Sequence, residues 1–184
     1  MAKKVILAGV LGGIVIILWT FVLNGIFGFR SSIDMKKVPN EAQVYAVLQE
    51  NIAAPGRYVC NPQMPQDAPP PHGQPVFGIF YSGVGHEDAG QMMIFELLIF
   101  ILAPTLAAWL LSQTSQQILT SYGRKVLFFV AIGLLFAFFS NLSDYGIAGY
   151  PLGDALLLGL HNICLWTVIG LVVAWKIKPG ERAD

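Results

Sequence analysis

Long apolar runs alternate with polar stretches along the chain, and four runs are long enough to predict helices that cross a bilayer. They cover residues 5–23, 92–111, 126–139 and 155–175. The hydrocarbon core of a bilayer needs about 20 apolar residues per helix. The third run is short, so either its helix continues up to Leu142 or the bilayer thins locally around it. The pattern predicts an all-α integral membrane protein built as a four-transmembrane-helix bundle.

The connection between the first and second runs carries folding signals of its own. Apolar residues recur at helical spacing after Asn40 and predict an amphipathic helix over residues 41–51. Residues 57–60 and 76–81 are rich in aromatic and β-branched side chains and predict two short strands, and the prolines between them exclude regular structure there. We therefore expect a small α+β extracytoplasmic cap inserted between helices 1 and 2.

This pattern divides the chain into four parts. The first apolar run is longer than the roughly 7 to 15 residues of a secretory signal, which favours an uncleaved anchor. The predicted parts are the first transmembrane helix with its N-terminus (1–29), the cap (30–91), transmembrane helices 2–4 (92–175) and a short tail (176–184).

Composition and charge refine this interpretation. Hydrophobic residues make up 55% of the chain and charged residues only 12%, so lipid must cover much of the apolar surface. The net charge is zero, and nothing indicates a nucleic-acid partner. When the four predicted helices cross a membrane in alternating directions, seven basic residues fall on the same side, and such residues favour the cytoplasmic side. This predicts a multi-pass protein of a bacterial inner membrane, with both termini cytoplasmic and the long loop periplasmic. The residues concerned are Lys3, Lys4, Arg124, Lys125, Lys176, Lys178 and Arg182.

Small residues within the first two runs predict close helix packing. Gly9 and Gly13 form a G-x-x-x-G pair in the first, and Ala103 and Ala107 lie four residues apart in the second. Such pairs let helix backbones approach each other in lipid. Pro104 lacks a backbone donor and is expected to kink the second helix.

Three ionisable residues are expected at one depth near the cap side of the bundle. Glu96 lies early in the second run, Asp144 follows the third and His161 lies early in the fourth. An ionisable residue within a span is costly and marks a candidate site for an ion, a proton or another ligand. The favoured interpretation, however, is structural: Glu96 and His161 tie helices together by hydrogen bonds.

The cap contains a set of candidate metal ligands without recognised spacing. Cys60, Met64, His72 and His86 carry soft or borderline donor atoms that suit copper. Cys60 has two further interpretations: burial in the core of the cap, or a disulfide to another subunit. Cys164 lies within the fourth run and is not expected to pair with it.

No catalytic motif is recognisable in the chain, which makes an enzyme the less favoured interpretation. The leading hypothesis is a non-catalytic accessory, scaffold or assembly subunit of a larger inner-membrane complex. Its expected partners are membrane lipid and either other membrane-protein subunits or further copies of the chain. The alternative is a small transporter, channel or cofactor- or ion-binding membrane protein that uses Glu96, Asp144 and His161. A sensor is less favoured, and no cofactor can be named from the sequence.

Overall fold

A computed structural model describes residues 2–60, 77–85, 89–147 and 149–179. The chain divides into two compact units, one formed by Met1–Lys36 with Gln91–Asp184 and the other by Lys37–Gly90. Among the described residues, the first unit holds four helices that are long and apolar enough to span a membrane, as many as the sequence pattern predicts, and this is compatible with a multi-pass membrane protein. The described chain is mostly helical.

The first unit is built from the following elements in chain order. They are α1 (Ala2–Thr20) with a π-helical turn (Phe21–Ile26), α2 (Phe29–Asp34), α4 (Ala89–Ser112), α5 (Gln116–Leu119), α6 (Tyr122–Phe136) with a second π-helical turn (Ala137–Leu142), α7 (Ser143–Ile147) and α8 (Leu152–Lys176). The third helix does continue through Leu142, and it does so by widening into a π-helical turn.

The four long helices run antiparallel to one another in sequence order. One end of the bundle therefore carries both the start of α1 and the end of α8, and we call it the terminal end. There Lys125 of α6 donates from Nζ to the carbonyl oxygen of Ile177 at 2.7 Å. The opposite end, where α4 and α8 begin, is called the loop end.

Helix α1 packs closely against α4 through glycines. A Cβ atom on Gly9 would lie 2.5 Å from the Cα of Thr105, and one on Gly13 would lie 2.9 Å from the carbonyl oxygen of Phe100. Gly12, which the sequence did not single out, faces Pro104 at 2.6 Å. Helix α4 continues through Pro104, whose side chain is fully buried. The small residues thus bring the two backbones together within one chain.

Helices α6 and α8 form a second close interface. Gly133 of α6 lies against the backbone of Ile163, and Gly170 of α8 lies against Phe129. Trp166 stacks between two phenylalanines, with ring centroids 6.3 Å from Phe129 and 5.6 Å from Phe136. Phe129 is fully buried, so this stack belongs to the core of the bundle.

The two halves of α4 differ in burial. Towards the terminal end, Ala107, Ala108, Leu111 and Ser112 are buried and Ala103 is partly buried. Towards the loop end, every residue from 90 to 99 is exposed. The loop-end half of α4 therefore has no helix packed on it within the described chain.

The second unit contains one helix and a two-stranded sheet. Helix α3 (Glu41–Asn51) matches the predicted bounds, and Asn40 precedes it in the left-handed region with a φ of 60°. Strands β1 (Gly56–Cys60) and β2 (Phe77–Tyr81) pair antiparallel, with Tyr58 opposite Ile79. The prolines between the strands lie outside the described residues.

Candidate functional site

His161 is the centre of an aromatic cluster near the loop end of the bundle. Trp19, near the end of α1, donates from Nε1 to Nε2 of His161 at 2.8 Å. Phe29 of α2 stacks on the imidazole with a centroid separation of 5.2 Å and an interplanar angle of 14°. Because Nε2 accepts this hydrogen bond, it carries no proton in this arrangement. His161 thus joins α8 to α1 and α2.

The chain reaches this cluster through a tight reversal after α1. Gly28 has a φ of 62°, a left-handed conformation that a residue with a Cβ atom rarely adopts. Its carbonyl oxygen accepts from the hydroxyl of Ser31 at 2.8 Å. The reversal starts α2 directly beside α8 and delivers Phe29 to the face of the imidazole.

Charged and polar side chains tie α2 to the loop that precedes α8. Asp34 accepts from Nε of Arg30 at 3.1 Å and from the hydroxyl of Tyr150 at 2.5 Å. Lys36 pairs with Asp154, the acidic residue in the first turn of α8, at 2.8 Å. These contacts make the loop end an ordered polar surface.

These surroundings change the pKa of the Tyr150 phenol. Its hydrogen bond to Asp34 raises the pKa of Tyr150 to about 12, with contributions from burial and from the Asp34 charge. Asp144 also raises this pKa through its charge, which places its carboxylate near the phenol. Tyr150 is therefore a neutral donor at physiological pH.

Each of the two π-helical turns carries an asparagine. Asn162 of α8 donates from Nδ2 to Oδ1 of the buried Asn141 at 2.7 Å. Asn24 lies in the turn after α1, where its Oδ1 is buried and has no hydrogen-bond partner in the described part of the chain. Such turns often occur at functional sites because they widen the helix and redirect a side chain. Hydrophobic periodicity gave no signal for them.

Glu96 stands apart from these networks. Its side chain is exposed on the loop-end half of α4, and no hydrogen bond or ion pair joins it to another residue that the structure describes. Its neighbours are large, apolar and exposed: Phe95, for example, is 67% exposed. An isolated carboxylate thus lies on an otherwise apolar helix surface.

The structure does not gather the three predicted site residues into one constellation. His161 is bound to Trp19, Asp144 lies exposed in α7 beside Tyr150, and Glu96 contacts neither of them through a hydrogen bond or ion pair within the described ranges. Of the three, His161 alone makes a side-chain hydrogen bond between helices within the described ranges, Asp144 acts on Tyr150 through its charge, and Glu96 is exposed.

The candidate metal ligands are largely outside the described residues. Met64, His72 and His86 all lie there, so the structure places only Cys60. Its thiol is free and exposed, which makes the expected burial in the core of the cap wrong. Cys60 ends β1, a strand on a sheet of only two strands, and such a sheet has too little area to enclose it. Among the described residues, no group of at least three His, Cys, Asp or Glu side chains is placed to hold a metal.

Comparisons with protein families, with curated proteins and with solved structures found no match to this chain.

Proposed function

We propose that the chain is a non-catalytic accessory subunit of a larger membrane complex. In this proposal the four helices span the bilayer, and the loop-end half of α4 binds a transmembrane helix of a different subunit. The observation that carries the proposal is the exposed, unpaired carboxylate of Glu96 on an apolar helix surface that nothing in the described chain covers.

The depth of Glu96 makes lipid an unfavourable neighbour. Helix α4 has 24 residues, so it is about 36 Å long and exceeds a hydrocarbon core of about 30 Å. Glu96 is seven residues beyond Ala89, about 10 Å along the helix. When α4 spans the bilayer, the backbone of Glu96 therefore lies within the hydrocarbon region. A partner helix with a hydrogen-bond donor at this depth would satisfy its carboxylate.

A second copy of the chain would be an unfavourable binding partner for the loop-end half of α4. A symmetric dimer brings the same patch of each subunit together, so Glu96 would face its own copy. Two carboxylates in a low-dielectric contact repel each other, or one must bind a proton. Two donors on the packed helices are already in use, since Trp19 donates to His161 and Asn162 donates to Asn141. A different subunit with its own donor is the better fit.

The remaining polar residues support a scaffold role. Trp19, His161, Asn141 and Asn162 form hydrogen bonds between helices. Tyr150 and Asp34 fix the α7–α8 loop against α2. Hydrogen bonds of this kind hold transmembrane helices in one arrangement. They give α4 a rigid neighbour in α1 and present its other half to a partner.

The orientation follows from the basic residues at the terminal end. Lys4, Lys125, Lys176 and Lys178 meet there, and positive residues favour the cytoplasmic side of a membrane. We infer cytoplasmic termini in a bacterial inner membrane. The unit Lys37–Gly90 is then periplasmic and offers a second contact surface to the complex.

Photo-crosslinking in native membranes tests the proposed contact. A photoreactive residue at position 95, next to Glu96, is expected to capture one membrane subunit that mass spectrometry identifies. The matched control is position 135 in α6, where Leu135 is exposed to nearly the same degree, 66%. The Glu96→Ala change should abolish the product at 95. Crosslinks to lipid alone, crosslinks to the chain itself, or a product unaffected by Glu96→Ala would contradict the proposal.

A further inference from the structure

His161 has two aromatic partners that respond in opposite ways to a proton on the imidazole. Its Nε2 accepts a hydrogen bond of 2.8 Å from Nε1 of Trp19 in α1, and its ring stacks on Phe29 of α2 with the centroids 5.2 Å apart. A protonated imidazole donates from both nitrogens, so its Nε2 can no longer accept from Trp19. The face of an aromatic ring attracts a cation, so the stack on Phe29 persists. A proton therefore breaks the contact of α8 with α1 and keeps its contact with α2.

The charged residues near His161 do not neutralise an imidazolium. On α2, Arg30 is a charged residue whose charge acts on the imidazole, and it pairs with Asp34. On α8, Asp154 precedes His161 by about two helical turns and pairs with Lys36. Within the described ranges no carboxylate forms an ion pair with His161. The imidazolium therefore gains no counter-charge in return for the lost indole hydrogen bond.

Helices α1 and α6 bring no ionisable side chain to His161. None occurs in residues 5–29, which cover most of α1, its π-helical turn and the start of α2, and none occurs in residues 126–142. The next ionisable residue along the chain is Asp144 of α7. The imidazole is only partly buried and Arg30 is exposed at the loop end, so protons from the aqueous side can reach the ring. His161 is thus the group that titrates in this part of the α1–α8 contact.

We propose that His161 and Trp19 form a pH-sensitive contact between α8 and α1. The neutral imidazole holds the indole N–H, and the imidazolium releases it. Histidine changes its charge between about pH 5 and pH 8, so the contact responds to the acidity of the solution at the loop end. The released indole turns towards the bilayer interface, where tryptophan is favoured and its N–H finds water. This inference depends neither on the accessory role nor on the contact made by Glu96.

Nuclear magnetic resonance of the indole N–H groups measures this contact directly. The full chain, labelled with nitrogen-15 at its four tryptophans, is titrated in detergent from about pH 8 to about pH 5. The change Trp19→Phe assigns the resonance of Trp19. The test variant is His161→Gln, because the amide oxygen of glutamine can accept from the indole but does not titrate. The matched control is the double change His72→Gln/His86→Gln, which removes the two other histidines of the chain.

The indole proton of Trp19 in the natural chain is expected to shift upfield as the pH falls, because a proton loses deshielding when its hydrogen bond breaks. The shift should follow the titration of a single group, and the other indole resonances should not share it. In His161→Gln the Trp19 resonance should keep one position throughout. The double change should titrate like the natural chain.

An unchanged Trp19 resonance in the natural chain would overturn the inference, as would an equal shift in His161→Gln or loss of the shift in the double change. A common shift of all tryptophans would show that acid loosens the whole bundle, and it would also overturn a local contact. If His161→Gln does not fold, the nitrogen-15 shifts of the His161 ring in the natural chain decide the question. They must titrate with the same midpoint as Trp19, and a different midpoint would overturn the assignment to His161.

The proposed function and this inference fail independently. If the Glu96 contact is wrong, position 95 captures no partner and the titration of Trp19 is unchanged. If the pH-sensitive contact is wrong, the Trp19 resonance does not titrate with His161 and the crosslink at position 95 persists.

Discussion

The two halves of α4 resemble each other in sequence and differ in surroundings. Both are mostly apolar, although the terminal-end half also contains small residues such as Ala107 and Ala108. In the terminal-end half, Thr105 and Pro104 lie against glycines of α1, and Leu111 is fully buried. In the loop-end half no residue is buried from 90 to 99, and Glu96 is the one charged residue there. The contrast shows that apolar composition alone does not tell which face of a membrane helix is used within the chain.

The polar residues of the packed helices also differ from Glu96 in their hydrogen bonds. Asn141, Asn162 and His161 on the packed helices all have hydrogen-bond partners. Glu96 has none in the described chain. Apart from the buried Oδ1 of Asn24, these side chains of the packed helices find their partners within the chain, whereas under our proposal a different subunit covers the exposed half of α4.

Replacement of Gly9 by alanine tests the packed half. The new Cβ would lie 2.5 Å from the Thr105 backbone, so the helices must separate. We expect a loss of about 2–3 kcal/mol in the free energy of unfolding, measured by chemical denaturation in detergent. Gly90→Ala is the control in the exposed half, because its Cβ would meet no atom within 4 Å. Similar losses of unfolding free energy in Gly9→Ala and Gly90→Ala would contradict the difference in packing between the two halves of α4.

The pair of asparagines tests the polar contacts between α6 and α8. A double-mutant cycle of Asn141→Ala and Asn162→Ala is expected to give a coupling free energy of about 1 kcal/mol, since each change leaves the other amide unpaired. The measurement is again the free energy of unfolding in detergent. Additive effects of the two changes would show that the hydrogen bond contributes nothing to the free energy of unfolding.

Replacement of Tyr150 by phenylalanine tests the loop-end network. Loss of the hydrogen bond to Asp34 should cost about 1 kcal/mol near pH 8. The pKa is about 12 in the folded chain and 10.0 for the reference phenol, so the folded chain holds the proton more tightly. The stabilisation is therefore complete below pH 10 and is lost as the pH rises towards 12.

Unfolding measured at several alkaline pH values should show the natural chain and Tyr150→Phe converging in that window. Tyr145→Phe provides the control, since Tyr145 is exposed and does not bind Asp34. A difference that stays constant from pH 8 to 12 would contradict the role assigned to this phenol.

Replacement of Glu96 by glutamine should have the smallest effect on the isolated chain. No contact of its carboxylate is lost, so the free energy of unfolding is expected to change by less than about 0.5 kcal/mol. Thermal unfolding of the purified chain checks this value. A loss above 1 kcal/mol would show that Glu96 already has a partner within the chain.

Much of the fold could be predicted from the sequence because long apolar runs and local helix signals are properties of the chain itself. The four long helices and the bounds of α3 follow from them. The π-helical turns could not be predicted, since one inserted residue in an apolar run leaves the hydrophobic pattern unchanged. Gly12 and Gly170 were missed because spacing does not reveal which face of a helix meets a neighbour.

The sequence could suggest which residues belong to the candidate site, but not which of them contact one another. Position along the predicted helices suggested Glu96, Asp144 and His161 because all three are expected towards the same end of the bundle. Rotation about each helix axis decides whether side chains meet, and it depends on packing that the sequence pattern does not encode. Trp19 became the partner of His161 because α1 packs against α8, and Glu96 was left exposed.

The most direct test of the central claim is the native mass of the complex purified from its own membranes in mild detergent. We expect the natural chain to be recovered in a fixed ratio with a different membrane subunit. We expect Glu96→Ala to be recovered alone, with an unchanged midpoint of thermal unfolding. Recovery of the natural chain alone or only with further copies of itself would show that α4 does not bind a different subunit. Retention of the partner by Glu96→Ala would show that Glu96 does not make the contact.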